Sequence, residues 1–150
     1  MSGNRSLHHI NILVDDLEST VTFYRDDLGL EPDATPEQGF PAQFFKLGGG
    51  IQIHINELAD ERPFRAHFAM RVDDFSSVFR HMKEIGAIDT KPWGNVRKLP
   101  GGAMQMFLRD PSGNLVEITS HPDDEIDADV LEDDLVDPGE SMFVFEDEGR

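Results

Sequence analysis

Polar and apolar residues alternate along several short stretches of this chain, and one of these patterns occurs twice. Residues 9–17 read His-Ile-Asn-Ile-Leu-Val-Asp-Asp-Leu, and residues 67–75 read His-Phe-Ala-Met-Arg-Val-Asp-Asp-Phe. In each copy the period-two alternation predicts a strand that opens on a histidine, and the Val-Asp-Asp that follows predicts the start of a helix. A repeat of this length indicates two copies of one supersecondary unit.

The first copy continues through a helix into further strands. Its pattern predicts a strand over residues 7–14 and a helix over 18–28 with an apolar stripe. A loop rich in Pro, Asp and Gly covers 32–41. Two strands are then predicted over 43–47 and 51–56, joined by three glycines. The first unit is therefore expected to run strand, helix, and about three strands.

The second copy repeats this order. It predicts a strand over 66–72, a helix over 75–85, a weak strand over 88–91, an irregular stretch over 92–102, and strands over 104–109 and 114–120. The sequence Asp-Pro-Ser-Gly between the last two strands is a strong turn signal, so these strands are expected to form a hairpin.

Length and charge suggest one domain with an acidic extension. A chain of 150 residues is long enough for a single domain with its own core, here predicted over 1–122 with units at about 7–57 and 65–121. Of the 30 acidic residues, 13 lie within 123–150, which has a single basic residue. We expect this tail to be mostly flexible, although its apolar island at 142–145 is a candidate terminal strand.

Composition also excludes several functions. The net charge of −17 argues against nucleic acid and anionic membranes as partners, because both would repel the protein. With no cysteine, disulfides, thiolate ligands and a cysteine nucleophile are all ruled out. No apolar run approaches the ~18 residues needed to span a bilayer. No signal peptide is visible, so a cytoplasmic location is expected.

The two openings and the closing hairpin together resemble a known superfamily. A βαβββ unit used twice, with His-x₄-Val-x-Asp at each opening and Asp-Pro-Ser-Gly-Asn-Leu-Val-Glu closing the second unit, resembles the vicinal oxygen chelate proteins. These include glyoxalase I, fosfomycin-resistance enzymes, methylmalonyl-CoA epimerase, extradiol dioxygenases and bleomycin-binding proteins. The resemblance covers residues 7–120. It implies an α+β fold in which two βαβββ units form a curled mixed sheet, with helices on the convex face and a metal on the concave face of catalytic members.

The resemblance also implies a set of metal ligands. The family positions fall on His9, His67 and Glu117, and by alignment of the two units the fourth falls on His54. Strand alternation allows all four side chains to face one polar concavity. Three imidazoles and a carboxylate suit Fe²⁺, Mn²⁺, Co²⁺, Ni²⁺ or Zn²⁺. In the alternative interpretation these histidines are polar strand residues that face solvent or a dry cleft, since some members of the family bind no metal.

Other residues are candidates for contact with a substrate. Gln105, Phe107 and Arg109 share one strand face, and Trp93 lies in a nearby loop, so these four are predicted to line a substrate pocket. An equally good interpretation makes Trp93 a lid over the core. The remaining histidines are expected to be incidental: His8, His81 and His121.

Three functions remain open at this stage. In a glyoxalase-like isomerase or lyase, Glu117 would have to serve as general base as well as ligand, because it is the one carboxylate among the four. Glyoxalase I has a second carboxylate at the position of His54, and this chain departs from it there. In an Fe²⁺ extradiol-type dioxygenase, His9, His67 and Glu117 would form a two-His-one-carboxylate triad with His54 as acid or base. The tyrosine of those enzymes is absent, and Phe107 occupies its neighbourhood.

The third function is a metal-free protein that binds an antibiotic or a metabolite. In all three cases the expected partner is a small molecule rather than nucleic acid or a membrane. A homodimer is also expected, because a half-closed sheet leaves strand edges that tend to pair.

Overall fold

The structure, a computed structural model, describes residues 5–140 as two compact units. Within these residues the first unit comprises 5–63 together with Asp110–Asn114, and the second comprises Phe64–Arg109 together with 115–140. Each unit has its own mixed β-sheet. The predicted α+β class is therefore confirmed.

The sheet of the first unit has four strands. They are β1 (His9–Val14), β2 (Glu31–Asp33), β3 (Ala42–Lys46) and β4 (Gln52–Glu57), in the order β1-β4-β3-β2. The first strand of the unit runs parallel to its last strand, and the other two pairings are antiparallel. Helix α1 (Leu17–Thr22) follows β1 and continues into a π-helical turn over Phe23–Asp27.

Local sequence explains where α1 begins and where its continuation stops. The Asp16 carboxylate accepts a hydrogen bond from the backbone N–H of Ser19 at 2.9 Å, which is the usual N-cap arrangement, and hydrogen bonds from Ser19 lower the pKa of Asp16. The N–H of Leu17 donates to Glu57 Oε2 at 2.9 Å. After the π-helical turn, Gly29 adopts a φ of 73°, a conformation that ends helices and favours glycine.

Alternation along the strands separates the core of the first unit from its polar face. The buried apolar side chains on one side include Ile12, Val14, Phe45, Ile53 and Ile55. Successive residues of a strand point to opposite faces. His9, Asn11, Gln52 and His54 therefore lie on the other face of the same sheet.

A buried hydrogen-bond network ties the turn Asp110–Asn114 into the first unit. The Tyr24 hydroxyl and the Asn114 side-chain amide each donate to Asp110 Oδ2 at 2.9 Å, and the amide also donates to the carbonyl of Leu13. The backbone N–H groups of Ser112 and Asn114 donate to Asp110 Oδ1. Burial raises the pKa of Asp110. Burial and the neighbouring Asp110 charge raise the pKa of Tyr24 well above its usual value.

The second unit has five strands and two helices. In chain order its elements are β5 (His67–Arg71), α2 (Phe75–Glu84), β6 (Val96–Lys98), β7 (Met104–Arg109), β8 (Leu115–Thr119), α3 (Ala128–Leu131) and β9 (Val136–Glu140). The sheet order is β5-β8-β7-β6-β9. As in the first unit, β5 and β8 are parallel, whereas β7 is antiparallel to both of its neighbours. Helix α2 buries Phe75, Phe79 and Met82.

Two short strands lie where the sequence predicted loops. β2 lies at the start of the predicted loop 32–41, and β6 lies within the predicted irregular stretch 92–102. Each has three residues, too few to show an alternating pattern, so each is defined by the neighbouring strand rather than by its own sequence. The predicted weak strand 88–91 is wrong in extent, because there Ile88 forms only an isolated bridge with Leu108.

The acidic segment differs most from its prediction. The tail 123–150 was expected to be mostly flexible, but up to Glu140 it contains α3 and β9, with β9 running parallel to β6. Val130 and Val136 are buried. The acidic side chains meet cations of α2, in the pairs Arg80–Asp127, Arg80–Asp129 and Lys83–Asp133. The apolar island at 142–145 lies outside the described residues.

The helices of residues 5–140 include none that is long and apolar enough to cross a membrane.

The Tyr24 network predicts a specific alkaline response. Because the pKa of Tyr24 in the folded state is raised above 10, the neutral phenol stabilises the fold below pH 10, and this stability is lost as the pH rises further. Tyr24 is the one tyrosine of the chain, so tyrosinate absorbance reports on it alone. We expect tyrosinate to form together with unfolding, monitored in parallel by circular dichroism.

The matched variant is Tyr24→Phe. At neutral pH it should lower the free energy of unfolding by ~1–3 kcal/mol, because Asp110 loses a buried donor. Its alkaline unfolding should move to higher pH than that of the unchanged protein. Complete tyrosinate formation near pH 10 with native circular dichroism would contradict the assignment.

Truncation tests the acidic segment. A chain that ends at Pro122 loses the burial of two valines, each worth roughly 1.5–3 kcal/mol, whereas its exposed ion pairs contribute little. We expect the melting temperature to fall by at least ~5 °C. A chain that ends at Glu140 keeps α3 and β9 and is the control. Equal melting temperatures for both truncations and the full chain would show that the segment does not stabilise the fold.

Candidate metal centre

The polar face of the second unit brings His67 next to Glu117. In the parallel pairing of β5 and β8, Ala69 lies opposite Glu117, and His67 precedes Ala69 by two residues on the same face. His67 Nε2 lies 3.0 Å from Glu117 Oε2. Both side chains are partly exposed, at 23% for His67 and 15% for Glu117. The pair is therefore preformed and accessible.

The orientation of the His67 ring is fixed from its other nitrogen. Nδ1 lies 2.8 Å from the carbonyl oxygen of Arg65, which can only accept, so Nδ1 carries the proton and donates. Nε2 is then the nitrogen directed at the Glu117 carboxylate. A metal-binding histidine usually donates the N–H of its other ring nitrogen to a backbone carbonyl or a carboxylate, as Nδ1 of His67 does here. The chemistry of this pair fits a divalent cation.

Aromatic rings surround His67. The Phe107 ring lies 5.0 Å from the imidazole at 87°, and the Trp93 ring lies 5.9 Å away at 76°. Trp93 is itself held in place, because its Nε1–H donates to the Arg65 carbonyl and its own carbonyl accepts from Arg97 Nη2 at 2.7 Å. Trp93 also stacks on Phe107, which is buried. In this unit the two rings thus restrict the imidazole; contact of either with a substrate stays a prediction.

The other two predicted pocket residues differ in their surroundings. Gln105 is buried, and its side-chain N–H donates to Glu117 Oε1 at 2.5 Å. Arg109 Nε donates to Asp89 at 2.9 Å, and its Nη2 donates to the carbonyl of Phe64 at 2.7 Å. Gln105 is therefore part of the Glu117 site, whereas Arg109 takes part in an ion pair.

The first unit has an equivalent pair. Asn11 lies opposite His54 in the parallel pairing of β1 and β4, and His9 precedes Asn11 by two residues. The two imidazole rings are stacked, with centroids 4.2 Å apart and planes at 13°. On its other side the His54 ring stacks on Phe44 at 3.5 Å. The register is the same as in the second unit, so the sequence repeat is also a repeat in structure.

A hydrogen-bond relay fixes His54. The Gln52 amide donates to Asp33 Oδ2 at 2.8 Å, which leaves Gln52 Oε1 as the acceptor for His54 Nε2–H at 3.0 Å. His54 Nδ1 is then the nitrogen with a lone pair. Burial, followed by the charges of His9 and His8, lowers the pKa of His54. The neutral imidazole that results is the form that binds metals.

The four predicted ligands thus form two pairs, one in each unit. His9 lies with His54, and His67 lies with Glu117. Within residues 5–140 no group of three or more His, Cys, Asp or Glu side chains is placed to hold one metal ion. A shared four-ligand site therefore stays a prediction.

The sequence did not identify the groups that orient the predicted ligand side chains. The Arg65 carbonyl is a backbone atom and leaves no trace in the sequence pattern. Gln52 shares the strand face of His54 at a spacing of two, which was the available signal, but its link to Asp33 depends on a distant loop. His8 was expected to be incidental, yet its Nδ1 lies 2.9 Å from Nδ1 of His9.

Comparison with known proteins places the chain in a family. Residues 6–118 match the glyoxalase/bleomycin resistance protein/dioxygenase superfamily, and the chain belongs to it. Members of this superfamily generally use a divalent metal and act on small molecules.

The individual relatives are less than 30% identical to this chain. The lactoylglutathione lyase GLX1 of Arabidopsis thaliana is 27% identical over 126 residues, which cover 77% of this chain and 44% of that protein. The chain thus spans less than half the length of this relative. Among solved structures, the fosfomycin resistance protein FosX of Listeria monocytogenes has a TM-score of 0.62 at 22% identity, covering 80% of this chain and 92% of FosX. Oxidase ChaP-H2 has a TM-score of 0.63 at 23% identity, with 80% and 96% covered. At these identities the two structures show the shared fold.

Ligand substitutions give the next prediction. Replacing His67 or Glu117 by Ala should weaken the binding of a divalent metal at least ~10-fold, because even residues behind the ligands contribute ~10–100-fold. Titration calorimetry with Zn²⁺, Mn²⁺ and Ni²⁺ would measure the affinity. His81→Ala, on α2, is the matched control and should bind normally. A Glu117→Ala protein with a full metal complement would show that the ligand assignment is wrong.

Proposed function

We propose that this protein is a metal-dependent, glyoxalase-like isomerase or lyase that acts on a small molecule with a C–H bond next to a carbonyl. The observation that carries the proposal is the His67–Glu117 pair, in which a fixed imidazole nitrogen and a carboxylate oxygen lie 3.0 Å apart on an accessible strand face. Membership of the superfamily supports the reaction class.

The proposed ligands are His9, His54, His67 and Glu117. A divalent metal held there would supply Lewis acidity toward the substrate carbonyl. His54 is suited to this role by its lowered pKa, and His67 by the hydrogen bond from its Nδ1 to a backbone carbonyl. The identity of the metal is left to experiment.

Glu117 would also move the proton. As the one carboxylate of the set, it would accept the proton from the carbon next to the carbonyl and return it to the former carbonyl carbon. In an α-hydroxy carbonyl substrate the hydroxyl proton would pass to the former carbonyl oxygen, so that the product is an isomer of the substrate. Its Oε1, the oxygen that does not face His67, is the atom on which we place this proton. General bases of this kind typically contribute ~10²–10⁴-fold to a rate. The aromatic rings beside His67 would limit the access of water.

The compounds to be tested as substrates follow from the relatives of this chain and from the one position at which it differs from glyoxalase I. The Arabidopsis relative is a lactoylglutathione lyase, so lactoylglutathione is one test compound. His54 stands where glyoxalase I has a carboxylate, and this weighs against that particular reaction. Other α-hydroxy and α-keto carbonyl compounds therefore belong in the panel.

The metal requirement separates this proposal from oxygen chemistry. We expect Zn²⁺, Mg²⁺ or Ni²⁺ to support turnover without O₂, because proton transfer needs no change of oxidation state. Glu117→Gln should lower kcat at least ~100-fold, whereas His81→Ala should not. Assays under argon, with product followed by nuclear magnetic resonance, would measure this.

Other outcomes would contradict the proposal. Oxygen uptake with catechols by the Fe²⁺-loaded protein, abolished by His54→Ala, would indicate a dioxygenase. Tight binding of a small molecule by metal-free protein, without turnover, would indicate a binding protein. The homodimer stays a prediction.

A further inference from the structure

Gln105 is a polar residue in an otherwise apolar strand. The residues from Met104 to Leu108 of β7 are all buried, and Gln105 is only 5% exposed. In the β7–β8 pairing Phe107 lies opposite Glu117, so Gln105 is the diagonal neighbour of Glu117 on the same face. Diagonal neighbours are within reach of long side chains. The Gln105 side-chain N–H accordingly reaches Glu117 Oε1 at 2.5 Å.

The two oxygens of Glu117 have different partners. Oε1 accepts from Gln105, and Oε2 faces His67 Nε2. A carboxylate held by one oxygen presents the other in a fixed direction. The Glu117 side chain can rotate about three bonds, and the hydrogen bond from Gln105 restricts this rotation from the oxygen that does not face His67.

Gln105 carries a cost to the fold. Its side-chain carbonyl oxygen is buried and has no hydrogen-bond partner among the described residues. A buried acceptor without a partner lowers stability, and native proteins retain few such groups. An apolar side chain of similar length would avoid this cost, as Met104 and Met106 do on either side. A role of Gln105 other than stabilising the fold would explain why a glutamine occupies this position.

We propose that Gln105 is a positioning residue: it holds the Glu117 carboxylate so that Oε2 stays directed at the site of the metal. The inference rests on the proposed function, since it assigns a role in building that same site. It also changes the role predicted for Gln105 from substrate contact to support of a ligand.

The inference predicts opposite effects on binding and on stability. Gln105→Met keeps the length and the flexibility of the side chain but removes the donor and the unpaired carbonyl. We expect the affinity for Zn²⁺ or Mn²⁺, measured by titration calorimetry, to fall by ~10–100-fold. We expect the melting temperature of the metal-free protein to stay unchanged or to rise. A purely structural glutamine would give the reverse pattern.

A matched control lies directly across the same strand pair. Thr119 is opposite Gln105, and its hydroxyl donates to backbone carbonyls, that of Met104 at 3.0 Å and that of Ser120 at 3.3 Å. Thr119→Val therefore removes a neighbouring hydrogen bond and should leave the metal affinity unchanged. Gln105→Asn, which keeps the amide but shortens its reach, should lose affinity as the Met variant does and serves if that variant does not fold.

Each result has one meaning. Equal metal affinity of the unchanged protein and both Gln105 variants overturns the inference but leaves the proposed function standing. A lower melting temperature of Gln105→Met with unchanged affinity also overturns it. If the unchanged protein binds no divalent metal, the proposed function fails and the inference fails with it.

Discussion

The parallel pairings of β1 with β4 and of β5 with β8 are the constraint on which the candidate site depends. In both units the opening histidine lies two residues before the residue that faces the ligand of the closing strand. Parallel strands cannot be joined by a tight turn, so the intervening helix and strands are needed to reach this register. A shift by one residue in either pairing would move a ligand to the apolar face.

The register brings the ligands near each other, and other groups then fix their atoms. In the second unit the Arg65 carbonyl orients His67 and Gln105 holds Glu117, and in the first unit Gln52 plays the corresponding part for His54. In the second unit His67 Nε2 and Glu117 Oε2 face each other at 3.0 Å, and in the first unit the hydrogen bond to Gln52 leaves His54 Nδ1 as the nitrogen with a lone pair. The two units share one strand register but differ in the side chains that it brings together. The first unit has a stacked pair of imidazoles, and the second has an imidazole and a carboxylate.

Membership of the superfamily is consistent with several chemistries, and particular residues of this chain narrow the choice. Because there is one carboxylate among the four candidate ligands, the proposed reaction requires Glu117 to act as both ligand and base. Phe107 packs its ring against His67 where a hydroxyl group would be needed for acid–base work of the dioxygenase kind. On these features we base the proposal of proton transfer rather than oxygen activation.

The sequence by itself determined the repeat, the strand parity and the helix starts, because each depends on residues close together in the chain. Asp16 and Asp74 cap helices from three residues away, and the His9 and His67 faces follow from alternation. Tertiary structure alone decided β6, β9 and the hydrogen bond between Gln105 and Glu117. By its composition the acidic segment is compatible with disorder. In the folded protein Arg80 and Lys83 of α2 pair with its carboxylates, and Val130 is buried. Such partners lie some 50 residues away, so no local pattern records them.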